Sequence, residues 1–229
     1  MTVLVEVARN FLNTLVEADG TTKLFFFYEN YDRFFSQNEF CPLSILEIGV
    51  FKGVSTKIFS RSFPAAKIVA VDKNLPDIDF SQFPNVTYLQ ADQANQNEFH
   101  AIINAHFPDG IDLVIEDASH IGTLSRATFQ AVFPFVKTNG IYIVEDWGTG
   151  YWDTWVDGGR FQEYPLNFHD NNIPRRIPSH DFGMVGFVKS LVDMTHESAI
   201  KNNQNDNSEH SSRIKRLEFG EGFCFALKA

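Results

Sequence analysis

Carboxylates stand at the carboxyl end of five short apolar runs, as Glu47, Asp72, Asp92, Asp117 and the pair Glu145-Asp146. A helix cap or a turn explains any one of them. All five together point elsewhere, because an open α/β sheet binds its ligands in the crevice outside the carboxyl ends of its strands, and acids placed there converge on one site. The first acid opens Glu47-Ile-Gly49-Val-Phe-Lys-Gly53, which reads as a strand, a glycine turn and the start of a helix. The glycines let backbone approach a ligand closely and take φ values closed to other residues. A dinucleotide fingerprint has glycine where Glu47 stands and turns its amides toward a diphosphate. A carboxylate there repels a diphosphate and suits a cation such as the amino group of an amino acid. Asp72, ending the next run, is placed to accept hydrogen bonds from ribose hydroxyls. A ligand with a ribose and an ammonium but no phosphate is S-adenosylmethionine, which these features predict together, although a tight turn alone also explains the glycines.

A second constellation joins Glu116-Asp-Ala-Ser-His120 to Glu145-Asp146. Asp117, Glu145 and Asp146 could present three oxygen ligands to one divalent ion, and all-oxygen coordination favours Mg, Mn or Ca over zinc. His120, three residues beyond Asp117, brings an imidazole beside that ion, where it could take a proton. An ordinary turn residue is an equal alternative for it. Trp147, Tyr151, Trp152 and Trp155 would suit an aromatic wall for a ring-shaped acceptor, with lid or core packing the alternative for each.

The elements that would position these residues alternate in type. Strand-like runs cover Ser44–Val50, Lys67–Lys73, Val86–Asp92, Ile111–Ala118 and Gly140–Asp146, and crossover helices suit Val54–Phe63, Asn97–His106 and Thr123–Val136. Val- and Ile-rich strands separated by helices predict an α/β, doubly wound and mostly parallel sheet. Two helices, Val3–Val16 and Leu24–Phe35, precede it, and an antiparallel hairpin of Ile214–Gly220 and Phe223–Leu227 follows. Met184 to Val192 marks a further amphipathic helix, and Lys201 to Ser212 an exposed polar loop. The expected layout is a single domain over 1–229, with an N-terminal helical segment over 1–40, a nucleotide-binding core over 41–147, a lid or substrate loop over 148–181 and a C-terminal helix and strands over 182–229.

Composition narrows the field. With 44% apolar and 21% charged residues the chain is long enough for a sizeable core, and its formal charge of −10 disfavours a phosphate-backbone binder, so no nucleic acid is expected as partner. The apolar runs are too short to span a bilayer, and Met1 to Glu6 carries no secretory pattern. Cys41 and Cys224 form no metal-binding spacing, so a cytoplasmic location is expected. The aromatic segment around Phe25, Phe26, Phe34 and Phe35 could supply core or the interface of a homo-oligomer.

Three runs carry a family resemblance: Ile111-Asp-Leu-Val-Ile-Glu-Asp-Ala-Ser-His120, Phe133-Pro-Phe-Val-Lys-Thr-Asn-Gly140 and Ile143-Val-Glu-Asp-Trp-Gly-Thr-Gly-Tyr-Trp152. Ala91-Asp-Gln93, Met184-Val-Gly-Phe-Val-Lys189 and Phe219-Gly-Glu-Gly-Phe-Cys-Phe225 extend it over nearly the whole chain. The sequence resembles the class I methyltransferases that O-methylate macrolide sugars, of the macrocin and mycinamicin type, whose relatives include proteins called cephalosporin hydroxylases. The resemblance implies that Glu47, Gly49, Gly53, Ser55, Asp72, Asp92, Gln93 and Asp117 line an S-adenosylmethionine site. It also implies that Asp117, Glu145 and Asp146 bind Mg, that His120 is the general base, and that the acceptor is a small molecule offering a sugar hydroxyl. The chain departs from the family at Glu116 and Ala118, where Asp and Gly are usual, and at Thr22, where Asp is usual, which leaves the role of Lys23 open. The sequence shows no match to the large N-terminal domain of some macrolide enzymes, which leaves their oligomer and sugar preference open as expectations for this chain. Three other functions are weighed: a non-haem iron hydroxylase using His120, Asp117 and His169 or His180, a non-catalytic S-adenosylmethionine-binding protein, and an NAD-dependent dehydrogenase, which Glu47 disfavours.

Overall fold

The computed structural model of the chain describes residues 3–10, 25–75, 77–152, 154–158, 182–202 and 212–229. Strands β1 (Ser44–Ile48), β2 (Lys67–Asp72), β3 (Val86–Gln90), β4 (Ile111–Glu116) and β5 (Val136–Glu145) run parallel. The hairpin of β6 (Ile214–Gly220) and β7 (Phe223–Lys228) completes the sheet, with β7 antiparallel to β5. Strand order is β3-β2-β1-β4-β5-β7-β6. The order reverses between β1 and β4, which opens the crevice where such sheets bind ligands.

Side chains alternate across the sheet with the strand period of two. Leu46, Val69, Val114, Tyr142 and Val144 join the core under α4 (Gln96–His106), α5 (Gly122–Val132) and α6 (Gly183–Met194). Ile45, Ile68, Ile115, Ile141 and Ile143 join the core under α1 (residues 3–10), α2 (Phe25–Gln37) and α3 (Val54–Ser62). Parallel strands covered on both faces account for the near-continuous apolar runs of the sequence. The aromatic helix α2 serves mainly as core: Tyr28, Tyr31 and Phe34 are fully buried, and Phe34 stacks on Phe225 with ring centroids 4.4 Å apart. Its Asp32 accepts the backbone amides of Leu4 and Val5 at 3.0 and 2.9 Å, which fastens α1 to the domain.

Several boundaries differ from the sequence expectation. β5 begins at Val136, four residues before Gly140, and α5 ends at Val132. Pro134 has no amide to extend the α-helix, and a 3-10 turn at Phe133–Phe135 takes over. Lys201 and Asn202, expected in a loop, end a short helix, α7 (Glu197–Asn202). Of the expected loop over 148–181, Trp147–Tyr151 forms a 3-10 turn and 154–158 a further turn, while 159–181, including His169 and His180, lie outside the described residues. Residues 11–24, with Thr22 and Lys23, and 203–211 lie outside them as well.

Candidate active site

Two cavities of about 860 and 410 Å³ meet at the carboxyl edge of the sheet and share Gly49, Phe51 and Asp117 as walls. Gly49 has φ of 94°, and a Cβ added there would sit 2.0 Å from the carbonyl oxygen of Asp117, so β1 and β4 approach as only glycine permits. The amides of the glycine turn are already occupied. Gly49 donates to Val71 (2.8 Å), Gly53 donates to Val50 (2.8 Å), and Val50 and Phe51 both donate to Asp72 Oδ2 at 2.8 and 3.0 Å. A diphosphate cradle needs such amides aimed at the ligand, so this turn does not offer the geometry of a dinucleotide site.

Asp72 also accepts the amide of Asn74 at Oδ1, 3.0 Å, and lines the larger cavity. Each carboxylate oxygen has two lone pairs, so Oδ1 keeps acceptor capacity for a ribose hydroxyl. Asp92 and Gln93 line the same cavity. The Ala94 amide, and after it Lys73 at 2.9 Å, holds the Asp92 carboxyl below the ordinary carboxylate range. The Gln93 amide faces inward: Nε2 donates to Glu116 (2.6 Å) and Oε1 accepts from Ser119 (2.6 Å).

Glu116 is buried beneath this cavity, and burial raises its pKa from 4.5 to about 7, against the hydrogen bonds from Ser125 and Gln93. The folded chain therefore holds a proton that the unfolded chain releases. Stability is greatest below about pH 4.5 for this group and falls as pH rises toward 7, by on the order of 3 kcal/mol. Glu116→Gln should remove that slope. Urea denaturation of both proteins at pH 5 and pH 8 measures it, and equal pH slopes would contradict the protonated assignment.

Asp117 and His120 of the second constellation line the smaller cavity. His120 Nε2 lies 3.8 Å from Asp117 Oδ1 and 3.8 Å from Asp146 Oδ2, and among the described residues these three side chains bring their ligand atoms within 4.8 Å of one another. His120 and Asp146 have φ of 51° and 50°, left-handed values that non-glycine residues hold only where their surroundings impose them. The Asp146 amide donates to Gly222 in the β6–β7 turn, which ties this end of β5 to the hairpin.

The sequence expected Glu145 as a metal ligand and Glu47 as a wall of the donor site, and the structure places both in buried hydrogen bonds. Glu145 is 1% exposed and accepts the Tyr31 hydroxyl; burial, and then the Glu145 charge, raises the Tyr31 pKa well above its ordinary value. Glu47 is 1% exposed and accepts the hydroxyls of Ser55 and Thr56, joining β1 to α3, and lines neither cavity. Strand parity is the reason. Glu47 lies inside β1 on the face of Ile45, and Glu145 ends β5 on the face of Ile143, whereas Asp92, Asp117 and Asp146 lie just past strand ends and Asp72 ends β2. Gly53, with φ of 73°, is the N-cap that precedes α3, and Ser55 lines the smaller cavity.

Two contributions are not evident from the motifs. Trp155, expected as an acceptor wall, donates its indole N–H to the His120 carbonyl at 3.0 Å. The buried Asp157 accepts the amides of Gly122 and Met184 at 2.7 and 2.8 Å, and no residue spacing announced it.

No protein-family model matches the chain. In sequence it is 27% identical over 189 residues to the mycinamicin VI 2''-O-methyltransferase of Micromonospora griseorubida, covering 80% of this chain and 42% of that protein. It is 29% identical over 192 residues to the demethylmacrocin O-methyltransferase of Streptomyces fradiae, covering 80% and 44%. The chain thus spans less than half the length of these relatives. In structure it superposes on the MycE methyltransferase of the mycinamycin biosynthetic pathway, in complex with Mg and SAH, with a TM-score of 0.74 and 24% identity, over 99% of this chain and 54% of that one. By sequence the chain is similar to these O-methyltransferases, and its fold is the Rossmann-like α/β fold that class I methyltransferases share.

Proposed function

We propose that the chain transfers a methyl group from S-adenosylmethionine, with Mg or Mn, to a hydroxyl of a sugar-bearing small molecule. The observation that carries this is the junction of the two cavities, where His120 Nε2 stands between two carboxylates at the end of a cavity with a ribose-accepting acid. The relatives named for methylating mycinamicin VI and demethylmacrocin, and the MycE structure with Mg and SAH, support it.

The donor supplies an electrophilic methyl on a sulfonium sulfur. A new oxygen–carbon bond forms, the sulfur–carbon bond breaks with its electron pair on sulfur, and the acceptor hydroxyl loses its proton. His120 Nε2 accepts that proton. Gly49 and Asp117 line both cavities, so a donor in one and an acceptor in the other would lie side by side.

Asp117 and Asp146 would hold the divalent ion. Two carboxylates, with the remaining positions left to water and acceptor oxygens, match what Mg takes, and a hard ion leaves the imidazole of His120 to act as base. When bound, the ion supplies Lewis-acid stabilisation of charge on the acceptor oxygen. Glu145, which accepts the Tyr31 hydroxyl, would add a third carboxylate beside Asp146. The iron hydroxylase alternative calls for two histidines and one carboxylate; among the described residues the cluster has one histidine and two carboxylates, and His169 and His180 lie outside them. The free thiols of Cys41 and Cys224 fit a reducing cytoplasm, and among the described residues no helix is long and apolar enough to cross a membrane.

The test is transfer of labelled methyl to mycinamicin VI and demethylmacrocin. Excess EDTA should lower the rate about 100-fold or more, since a Lewis acid contributes several kcal/mol, and added Mg should restore it. Full activity in EDTA would exclude a catalytic ion.

A further inference from the structure

We propose that the turn at residues 154–158 is a positioning device for His120, with Trp155 as the positioning residue and Asp157 as its anchor. The proposal rests on the reading of His120 as the proton acceptor and adds how that side chain is held.

A histidine that works through one ring nitrogen is ordinarily oriented by a hydrogen bond at the other. In this site that bond is missing: His120 Nδ1 is buried and has no hydrogen-bond partner among the described residues. The backbone does not fix the ring either, and its φ of 51° is a left-handed value that few non-glycine residues hold. Something else must fix both the backbone and the ring.

Trp155 contacts both. Its indole N–H holds the His120 carbonyl at 3.0 Å, and its ring lies 6.0 Å from the imidazole, tilted at 47°. The turn carrying it is closed by bonds from the Trp155 amide to Trp152 at 3.0 Å and from the Gly158 amide to Trp155 at 3.1 Å. Asp157, 4% exposed, then locks the turn onto the domain by accepting the amides that open α5 and α6. One of those amides belongs to Gly122, two residues beyond His120. The fit is close: a Cβ on Gly183 would lie 2.7 Å from the Asp157 side chain, and one on Gly122 would lie 1.9 Å from the Gly183 carbonyl carbon. One carboxylate thus secures the helix that follows His120, the helix behind it, and the turn that presses a tryptophan on its ring.

The experiment compares Trp155→Phe, which keeps an aromatic ring but loses the indole N–H, with Trp155→Ala, each alone and combined with His120→Ala. Two readouts are taken on the full chain: turnover of mycinamicin VI with Mg present, and the His120 imidazole resonances in nitrogen–proton correlation spectra, assigned by their loss in His120→Ala. Misplacing a reacting group by about 1 Å costs on the order of 100-fold. Turnover should therefore fall about 100-fold in Trp155→Ala and less in Trp155→Phe, with affinity for S-adenosylhomocysteine unchanged within about twofold. In the His120→Ala background neither change should cost more turnover, and the imidazole resonances should shift in Trp155→Ala. Unmoved imidazole resonances, or a full loss that persists without His120, would overturn the proposal. The spectra decide even where mycinamicin VI is not turned over. Full turnover in His120→Ala alone would instead refute the base assignment, while the spectra still report whether Trp155 sets the ring.

Discussion

Exchanging His120 for alanine is expected to lower turnover about 10²- to 10⁴-fold at saturating donor and acceptor, the range that a positioned general base contributes. The loss should fall on the chemical step. His120 lines the smaller cavity and not the larger one, so the affinity for S-adenosylhomocysteine should stay near that of the parent. His120→Asn makes the control for folding, because asparagine tolerates the left-handed backbone that position requires and still cannot serve as the base. Both variants should be inactive and folded. Steady-state kinetics of an asparagine variant that retain full turnover would remove His120 from the chemistry.

Gly49→Ala is expected to damage both the fold and the donor site. The added methyl would meet the Asp117 carbonyl at 2.0 Å, and that neighbour is backbone, which cannot rotate away. The φ of 94° is closed to alanine as well. Relief requires β1 and β4 to separate at the edge where Asp117 must face His120. A stability loss of about 3 kcal/mol or more follows, in the range of strained backbone combined with disrupted packing. Urea denaturation reads the loss, and calorimetry should find no S-adenosylhomocysteine binding. Normal stability would mean the two strand ends yield easily.

The sheet was legible in the sequence because parallel strands buried on both faces leave long Val and Ile runs, and the hairpin because Glu221-Gly222 interrupts two such runs. The edge that holds the site was legible too, since acids recur at the strand ends. What could not be read was the side on which each acid falls. A strand turns alternate side chains to opposite faces, so an uncertainty of two residues in where a strand stops decides between a buried partner and a ligand. Glu47, within β1, and Glu116 and Glu145, the last residues of β4 and β5, go under helices, to Ser55 and Thr56, to Gln93 and Ser125, and to Tyr31. Asp72, Asp117 and Asp146 end or follow strands and face the crevice or its rim. Asp157 was illegible for a different reason: its partners, Gly122 and Met184, are 35 and 27 residues away, and no local spacing encodes that meeting.

Calorimetric titration of the full chain with S-adenosylhomocysteine and, separately, with NAD tests most directly whether this fold serves methyl transfer. Saturable binding of S-adenosylhomocysteine with a stoichiometry near one, weakened by Asp72→Ala, and no binding of NAD are expected. Binding of NAD in place of S-adenosylhomocysteine would contradict the assignment, because the amides of the glycine turn would then have to leave Asp72 for a diphosphate.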